Sequence, residues 1–229
     1  MCIDKKILYN ITKFTALDWE EHLSAVFWFP SCNMRCPYCH NPDIVYGKAN
    51  ITKKEALEFL KTRIGKLEAV VFSGGECTLF KDLPNFIKDV KELGFLVKID
   101  TNGTNPKMIE ELVEKELVDF ISLDFKAPKE KYQKITKDKN YENFLETLKI
   151  LIEKDANFEL RTTVHTDLLD ENDINNIIQT LKDLGFDKRY YIQNYHHQDV
   201  TLSDMPPQKK VLDIDKIDIK TLSVNFRNF

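Results

Sequence analysis

Glycine, proline and tryptophan are scarce in this 229-residue chain, which has 7, 8 and 2 of them. So little glycine and proline excludes collagen-like and low-complexity chains. No apolar run approaches the roughly 18–20 residues that a membrane-spanning helix requires. Basic residues do not exceed acidic ones, 33 against 37, so the chain lacks the charge of a general nucleic-acid binder. We therefore expect neither a membrane span nor a nucleic-acid partner.

Cysteine is present only five times, but three copies fall within eight residues, at Cys32, Cys36 and Cys39. Cys2 and Cys77 stand alone, and we expect Cys2 to be an incidental thiol. The first six residues lack the charged and apolar pattern of a secretory signal, so we expect a cytoplasmic protein. In a reducing compartment, clustered cysteines more often hold metal than form disulfides.

Apolar strands alternate with amphipathic helices of about 10–15 residues, which predicts βαβ units on a parallel sheet and an α/β fold. One domain over 1–229 is expected, with a core at about 20–200 and a C-terminal extension at about 204–229. Thr52 and Glu55 predict a capping box at the start of a helix. The six predicted strands are Leu23–Phe29, Glu68–Phe72, Phe95–Ile99, Phe120–Phe125, Phe158–Val164 and Tyr190–Gln193.

Five of these strands run into a polar or glycine-rich cluster. Because the carboxyl ends of parallel strands lie on one face, we expect these loops to converge on one pocket. The five clusters are Cys32 to Cys39, Ser73 to Glu76, Asp100 to Gly103, Asp124 to Lys126 and Arg161 to His165.

The cysteine cluster has two interpretations. A structural zinc site usually needs four ligands, and only Cys36 and Cys39 form a Cys-x-x-Cys pair here. His40 could complete a Cys₃His site, but its adjacency to Cys39 makes a shared tetrahedral metal awkward. Three thiolates instead leave a four-iron cluster one ligand short, which keeps one iron open for chemistry.

Cys32-x-x-x-Cys36-x-x-Cys39 after one strand and Gly74-Gly75-Glu76 after the next resemble the radical SAM superfamily. The resemblance implies a partial parallel (β/α)6 barrel of the radical SAM type. It also implies one [4Fe–4S] cluster on Cys32, Cys36 and Cys39, with S-adenosylmethionine (SAM) on the open iron. Reduction of the cluster then splits SAM and produces a 5′-deoxyadenosyl radical.

Four further motifs look like those of the activases of glycyl radical enzymes. Their sequences are most similar to those of the type that activates anaerobic ribonucleoside-triphosphate reductase. This implies a partner enzyme whose glycine loses a hydrogen atom. It also implies a one-electron donor such as flavodoxin or ferredoxin. The motifs are Cys39-His40-Asn41-Pro42, Asp100-Thr101-Asn102-Gly103, Asp124-Phe125-Lys126-Ala127 and Arg161-Thr162-Thr163-Val164.

The same resemblance assigns roles around SAM. Asp124 and Lys126 are expected near the methionine carboxylate and the site of hydrogen transfer, as the catalytic pair. The residues expected to bind SAM are Tyr38, Gly74, Gly75, Glu76, Asp100, Asn102, Asp124, Lys126, Arg161 and His196.

Simpler interpretations of these residues stay open. Arg161 or Lys126 could pair with an acidic neighbour in an ion-pair network. Asp100 and Asn102 could only shape a turn, and His196 could be a surface histidine. Two other functions also stay open, namely a radical SAM enzyme acting on a small molecule or an RNA base, and a non-catalytic zinc or iron–sulfur module.

Overall fold

The computed structural model describes residues 5–220 and 222–229, so Cys2 lies outside the described residues. The chain divides into two compact units. The first unit contains residues 1–33, 43–101 and 105–121, and the second contains 34–42, 102–104 and 122–229. The prediction of one domain over 1–229 stays a prediction.

Ten strands and seven α-helices alternate along the described chain. The strands are β1 (Lys6–Leu8), β2 (Asn10–Thr15), β3 (Ser24–Phe29), β4 (Ile51–Thr52), β5 (Ala69–Gly74), β6 (Leu96–Thr101), β7 (Phe120–Asp124), β8 (Phe158–Val164), β9 (Arg189–Asn194) and β10 (Ser223–Arg227). The helices are α1 (Pro42–Tyr46), α2 (Lys53–Lys61), α3 (Leu83–Glu92), α4 (Pro106–Glu114), α5 (Lys129–Thr136), α6 (Tyr141–Glu153) and α7 (Glu171–Asp183).

The first unit is built on a sheet in which β3, β5 and β6 are parallel and β2 is an antiparallel edge strand. Strands β3 and β5 are apolar and largely buried, as is typical of parallel strands with both faces covered. Phe27 pairs with Phe72 across β3 and β5, and both rings contact Phe86 of α3 at centroid distances of 5.7 and 5.4 Å. The same register puts Phe29 beside Gly74, so the cysteine loop and the Gly-Gly-Glu turn begin at neighbouring strand ends.

The helix α2 begins as predicted. The Thr52 side chain accepts from the Glu55 amide, and the Glu55 carboxylate accepts from the Thr52 amide, which completes a capping box. Two of the amide groups that a helix start leaves without partners are satisfied in this way.

The second unit contains β8, β9 and β10, which are parallel. The buried Tyr190 hydroxyl donates to Thr162 between β9 and β8 at 2.8 Å. Phe125 and Phe144 pack with their ring centroids 4.5 Å apart and tie α6 to the end of β7. Strand β10 gives part of the C-terminal extension a defined place, which its mixed apolar and charged sequence did not predict.

The predicted α/β class is confirmed, and each of the six predicted strands is present with its ends shifted by at most two residues. The helix α5 was not predicted, because lysines occupy so much of its short sequence that its apolar face is weak. Within the described residues, no helix is both long and apolar enough to cross a membrane.

Candidate active site

In the first unit, the two glycines are required by the approach of the chain before Cys32. The Gly75 amide donates to the Phe29 carbonyl oxygen and the Glu76 amide to the Ser31 carbonyl oxygen, each at 2.9 Å. A Cβ atom on Gly75 would lie 1.9 Å from the Ser31 oxygen, and one on Gly74 would lie 2.4 Å from the Phe29 oxygen. Gly74 also has a φ of 125°, a backbone angle that residues with a side chain rarely adopt. The Gly-Gly pair therefore fastens the start of the cysteine loop.

Glu76 is buried and braces its own turn. Its Oε1 atom accepts from the Thr78 amide at 3.1 Å, from the Thr78 hydroxyl at 2.6 Å and from the Thr101 hydroxyl at 2.8 Å. The interactions of Glu76 therefore connect the end of β5 to the end of β6.

Asp100 belongs to a polar group that the sequence motifs only partly revealed. Its Oδ2 accepts from the Ser73 hydroxyl at 2.9 Å, and its Oδ1 lies 3.2 Å from Nζ of Lys98. Lys98 is only 4% exposed. Its position two residues before Asp100 puts both side chains on the same face of β6, which is the signal that could have identified it.

Cys77 is fully buried, and its Sγ atom lies 3.5 Å from the Asp100 carbonyl oxygen. Burial raises the pKa of its thiol well above the ordinary value, and the charges of Glu76 and Asp100 raise it further. A protonated thiol is a poor nucleophile and a poor metal ligand. Cys77 therefore packs as a small apolar residue.

In the second unit, Asn102 shapes a turn. Its Oδ1 accepts from the amide of Thr104 at 3.0 Å and from the Thr104 hydroxyl at 2.7 Å. The next residue is also held, because the Thr147 hydroxyl donates to the Gly103 carbonyl oxygen at 2.7 Å. The turn-shaping role proposed for Asn102 from sequence is therefore present.

The cysteine loop of the second unit has an internal turn and is anchored to α5. The Cys39 amide donates to the Cys36 carbonyl oxygen at 3.1 Å, and the Arg35 amide donates to the Thr136 carbonyl oxygen of α5 at 2.7 Å. Cys36 is buried and Cys39 is half-buried. Among the described residues, Cys32, Cys36, Cys39 and Cys77 are not in disulfide bonds.

The Cys36 thiol lies in an environment that favours its proton unless a metal is bound. Burial raises its pKa to about 11, and the nearby charge of Lys126 opposes that rise. Burial also raises the pKa of Tyr38 well above its usual value, and the charge of Cys36 adds to the effect. A thiolate here needs a positive charge beside it, which a metal or cluster supplies.

Asp124 joins the two cations that the sequence placed with it. Its Oδ2 lies 3.0 Å from Nζ of Lys126, and its Oδ1 accepts from Nε of Arg161 at 3.0 Å. Burial would raise the Asp124 pKa, but Arg161 and Lys126 outweigh it and leave that pKa below its usual value. Burial opposes the charge on Lys126, yet Asp124 and the ionisable Tyr38 and Cys36 raise its pKa well above the ordinary value. The carboxylate therefore holds both cations in their charged forms.

The segment that follows β9 contacts the cysteine loop. The Leu202 amide donates to the Cys39 carbonyl oxygen at 3.0 Å, and the Ser203 amide donates to the Pro37 carbonyl oxygen at 3.2 Å. We call residues 201–210 the strap. Sequence patterns did not predict it, because it has neither helical nor strand periodicity.

His165 anchors the strap. Its side chain is fully buried, and its Nε2 lies 2.9 Å from the Pro206 carbonyl oxygen. The Asp167 amide donates to its Nδ1 at 3.2 Å, so Nε2 carries the proton that bonds to the strap. The amide oxygen of Gln208 adds a second anchor, because it accepts from the Thr166 amide at 2.9 Å.

His40 lies in the same region, whereas the predicted His196 is exposed. The Tyr195 ring lies between two histidines, 5.2 Å from the His40 ring and 4.8 Å from the His165 ring. Burial lowers the His40 pKa, a hydrogen bond to the His196 backbone opposes this, and the charges of His196 and His197 lower it further. The His196 backbone therefore contacts His40, while the His196 side chain is exposed.

In the described part of the chain, no group of three or more His, Cys, Asp or Glu side chains is placed to hold a single metal ion. That finding concerns one ion, whereas a four-iron cluster binds each thiolate on a different iron atom. The donor chemistry fits a cluster, since Cys36 and Cys39 are thiols on one anchored loop and soft sulfur ligands suit iron–sulfur clusters. The paired cations Lys126 and Arg161 fit a carboxylate-bearing cofactor such as SAM.

The chain is similar to two proteins of related name along most of its length. It is 32% identical over 225 residues to a protein of Methanocaldococcus jannaschii provisionally named a glycyl-radical enzyme activating enzyme, covering 93% of this chain and 92% of that protein. It is 28% identical over 213 residues to the pyruvate formate-lyase-activating enzyme of Clostridium pasteurianum, covering 87% and 85%.

The fold is shared with solved structures. Streptococcus suis SuiB bound to S-adenosylmethionine superposes with a TM-score of 0.67 at 14% identity, over 89% of this chain and about half, 52%, of the SuiB chain. The sequence model described as the Radical SAM superfamily matches residues 26–187. The chain therefore belongs to the radical SAM superfamily, whose members use a [4Fe–4S] cluster and S-adenosylmethionine.

Proposed function

We propose that this protein is an activase that generates a glycyl radical on a partner enzyme. The observation that carries the proposal is the 32% identity to a protein named as such an activating enzyme, over nearly the full length of both chains. When bound, the cluster and SAM supply a 5′-deoxyadenosyl radical, which takes one hydrogen atom from a backbone glycine of the partner. The partner enzyme is thus the substrate.

We further propose anaerobic ribonucleoside-triphosphate reductase as that partner. Support comes from the sequences of three motifs, which resemble those of activases of this reductase. These motifs are Cys39 to Pro42, Asp100 to Gly103 and Asp124 to Ala127. A cytoplasmic location goes with the proposal, because a reducing compartment keeps clustered thiols available.

The proposed cluster ligands are Cys32, Cys36 and Cys39. Their spacing in sequence and the anchoring of Cys36 and Cys39 support this assignment. Binding the cluster displaces the proton that burial favours on Cys36, so we expect loading to release protons.

The proposed role of Asp124 is to hold two cations ready for SAM. Lys126 and Arg161 share this carboxylate, and the Lys126 ammonium has three N–H donors. A methionine carboxylate is a hydrogen-bond acceptor, and a charge-assisted contact to it would orient SAM. We propose Asp124 and Lys126 as the catalytic pair and Arg161 as a SAM-binding residue.

The remaining SAM contacts are proposed with roles adjusted to their geometry. Tyr38 is proposed to pack beside the adenine. The backbone of the turn at Gly74 and Gly75 is proposed to contact the methionine amino group. Glu76 stabilises that turn through its hydrogen bonds to Thr78 and Thr101. Asp100, Asn102 and His196 complete the proposed binding set.

The test is anaerobic reconstitution followed by reduction with SAM and anaerobic ribonucleoside-triphosphate reductase. We expect about four irons per chain, a spectrum of the reduced cluster that responds to SAM, and an organic radical signal on the reductase. The Cys36→Ala variant is the control and should lose iron and the radical signal together.

Other outcomes identify other functions. One tightly bound zinc without a response to SAM would mean a non-catalytic zinc module. Deoxyadenosine formed with a small molecule or an RNA base, and with no glycyl radical enzyme of the same genome, would mean a different radical SAM reaction. A radical on pyruvate formate-lyase but not on the reductase would keep the activase and replace the partner.

A further inference from the structure

Residues 126–139 are strongly basic in a chain whose net charge is −4. This segment contains six lysines and only two acidic residues, Glu130 and Asp138. Such a run of charge is often only a solvated surface. Whether it could also bind a partner depends on which of its lysines are paired and on where they lie.

Half of these lysines are neutralised by close ion pairs. Lys126 pairs with Asp124, and two more pairs are 2.6 Å long. The longer-range pairs join Lys129 to Glu142 and Lys131 to Asp173.

The other half form what we call the basic patch, Lys134, Lys137 and Lys139. All three are exposed, and within residues 5–220 and 222–229 no ion pair involves them. Lys137 ends α5 in a left-handed conformation with a φ of 60°. The patch is therefore concentrated at the carboxyl end of α5.

That end of α5 is in direct contact with the cysteine loop. The Thr136 carbonyl oxygen accepts from the Arg35 amide at 2.7 Å. In the sequence, Thr136 directly precedes Lys137, and Arg35 directly precedes Cys36, a proposed cluster ligand.

We propose that the basic patch docks a small acidic one-electron carrier protein of the flavodoxin or ferredoxin class. The inference rests on the proposed function, because it assumes a cluster on the cysteine loop. Electron transfer weakens steeply with distance, so a carrier must approach close to that loop. A positive patch there attracts an acidic carrier into this position and speeds the encounter. The reduced carrier loses one electron and the cluster gains it, with no bond made and no proton moved.

The experiment measures the rate at which a reduced bacterial flavodoxin reduces the reconstituted cluster under anaerobic conditions. The test variant is Lys134→Glu/Lys137→Glu/Lys139→Glu. We expect its second-order rate to fall about tenfold at low ionic strength, and the difference to shrink as salt screens the charges. Photoreduced deazaflavin, a small uncharged reductant, should reduce variant and parent equally.

Two further variants control for net charge and for disruption of the helix. Lys54→Glu/Lys107→Glu/Lys149→Glu makes the same change in net charge at exposed lysines of α2, α4 and α6, and should stay within about twofold of the parent because steering depends on local charge. Since acidic side chains disfavour a helix carboxyl end, the glutamine triple variant at positions 134, 137 and 139 serves as a milder second test. It should slow reduction by flavodoxin in the same direction.

The proposal is overturned if the patch variant and the control variant are reduced by flavodoxin at equal rates. It is also overturned if reduction is unchanged while activation of the partner enzyme slows, or while binding of a single-stranded RNA probe is lost. Failure of the activase proposal looks different, because deazaflavin-reduced parent protein would then leave SAM uncleaved or leave every partner without a radical.

Discussion

The amide of Leu202 donates a hydrogen bond to the carbonyl oxygen of Cys39, 163 residues earlier in the chain, at 3.0 Å. The strap therefore takes part in holding the cysteine loop. Its attachment depends on His165, which bonds to the strap at Pro206.

Replacing His165 with phenylalanine should loosen the strap. The ring volume is kept, but the Pro206 carbonyl and the Asp167 amide lose their partners, so we expect a loss of about 1–3 kcal/mol in the free energy of unfolding. Hydrogen exchange on the apo protein should show faster exchange at the amides of Leu202 and Ser203. His165→Gln, which can still donate to Pro206, should restore part of the protection.

The control for that experiment is His22→Phe. His22 pairs with Glu68 at the surface, so its loss should leave exchange at Leu202 and Ser203 unchanged. Equal protection in the His165→Phe protein and the parent would show that His165 does not anchor the strap.

The Gly75→Ala variant should be destabilised by about 3 kcal/mol or more, because its methyl group meets backbone and not a movable side chain. Gly65→Ala is the matched control. Gly65 has a φ of 73° and nothing within 4 Å of a Cβ atom, so only conformational strain of about 1–2 kcal/mol is expected. Urea denaturation of the two apo variants measures both values, and an equal cost would exclude the contact with Ser31 as the reason for glycine.

The Asp124→Asn variant should lose stability at neutral pH but not in acid. The folded pKa of Asp124 is below its ordinary value, so its contribution is present above about pH 4 and is lost as the pH falls through the folded pKa. We expect a cost of about 2 kcal/mol at pH 7, less than for a fully buried pair because the side chains are partly exposed.

Denaturation of the parent and Asp124→Asn from pH 3 to 8 checks this expectation. Asp155→Asn is the control, because the exposed carboxylate of Asp155 also pairs with a lysine, Lys188, but should contribute no measurable stability. A constant difference between parent and Asp124→Asn across the pH range would contradict the assignment.

The cysteines of the apo protein should react with iodoacetamide in a set order. Cys32 and Cys39 are half-buried and should react first, while burial and a raised pKa slow Cys36 and protect Cys77 most strongly. Peptide mass spectrometry at pH 8 gives the order, and unfolding in urea should remove it. Early modification of Cys77 in folded protein would contradict its buried position.

The order of the elements, the α/β class and the family could all be predicted from the amino-acid sequence. These follow from short-range patterns, such as the apolar runs of β3 and β5 and the spacing of Cys32, Cys36 and Cys39. The capping box at Thr52 and Glu55 is equally local. Such features can be predicted because the residues that create them are neighbours in the chain.

The partners of the individual side chains become known only from the folded chain. Glu76 braces β5 and β6, Asp124 is shared by Lys126 and Arg161, and His165 holds a strap that no periodicity predicts. Each of these arrangements joins residues that are distant in the chain, and a buried polar group must find partners wherever the fold supplies them. The physical requirement was therefore present in the sequence, but the identity of each partner was not.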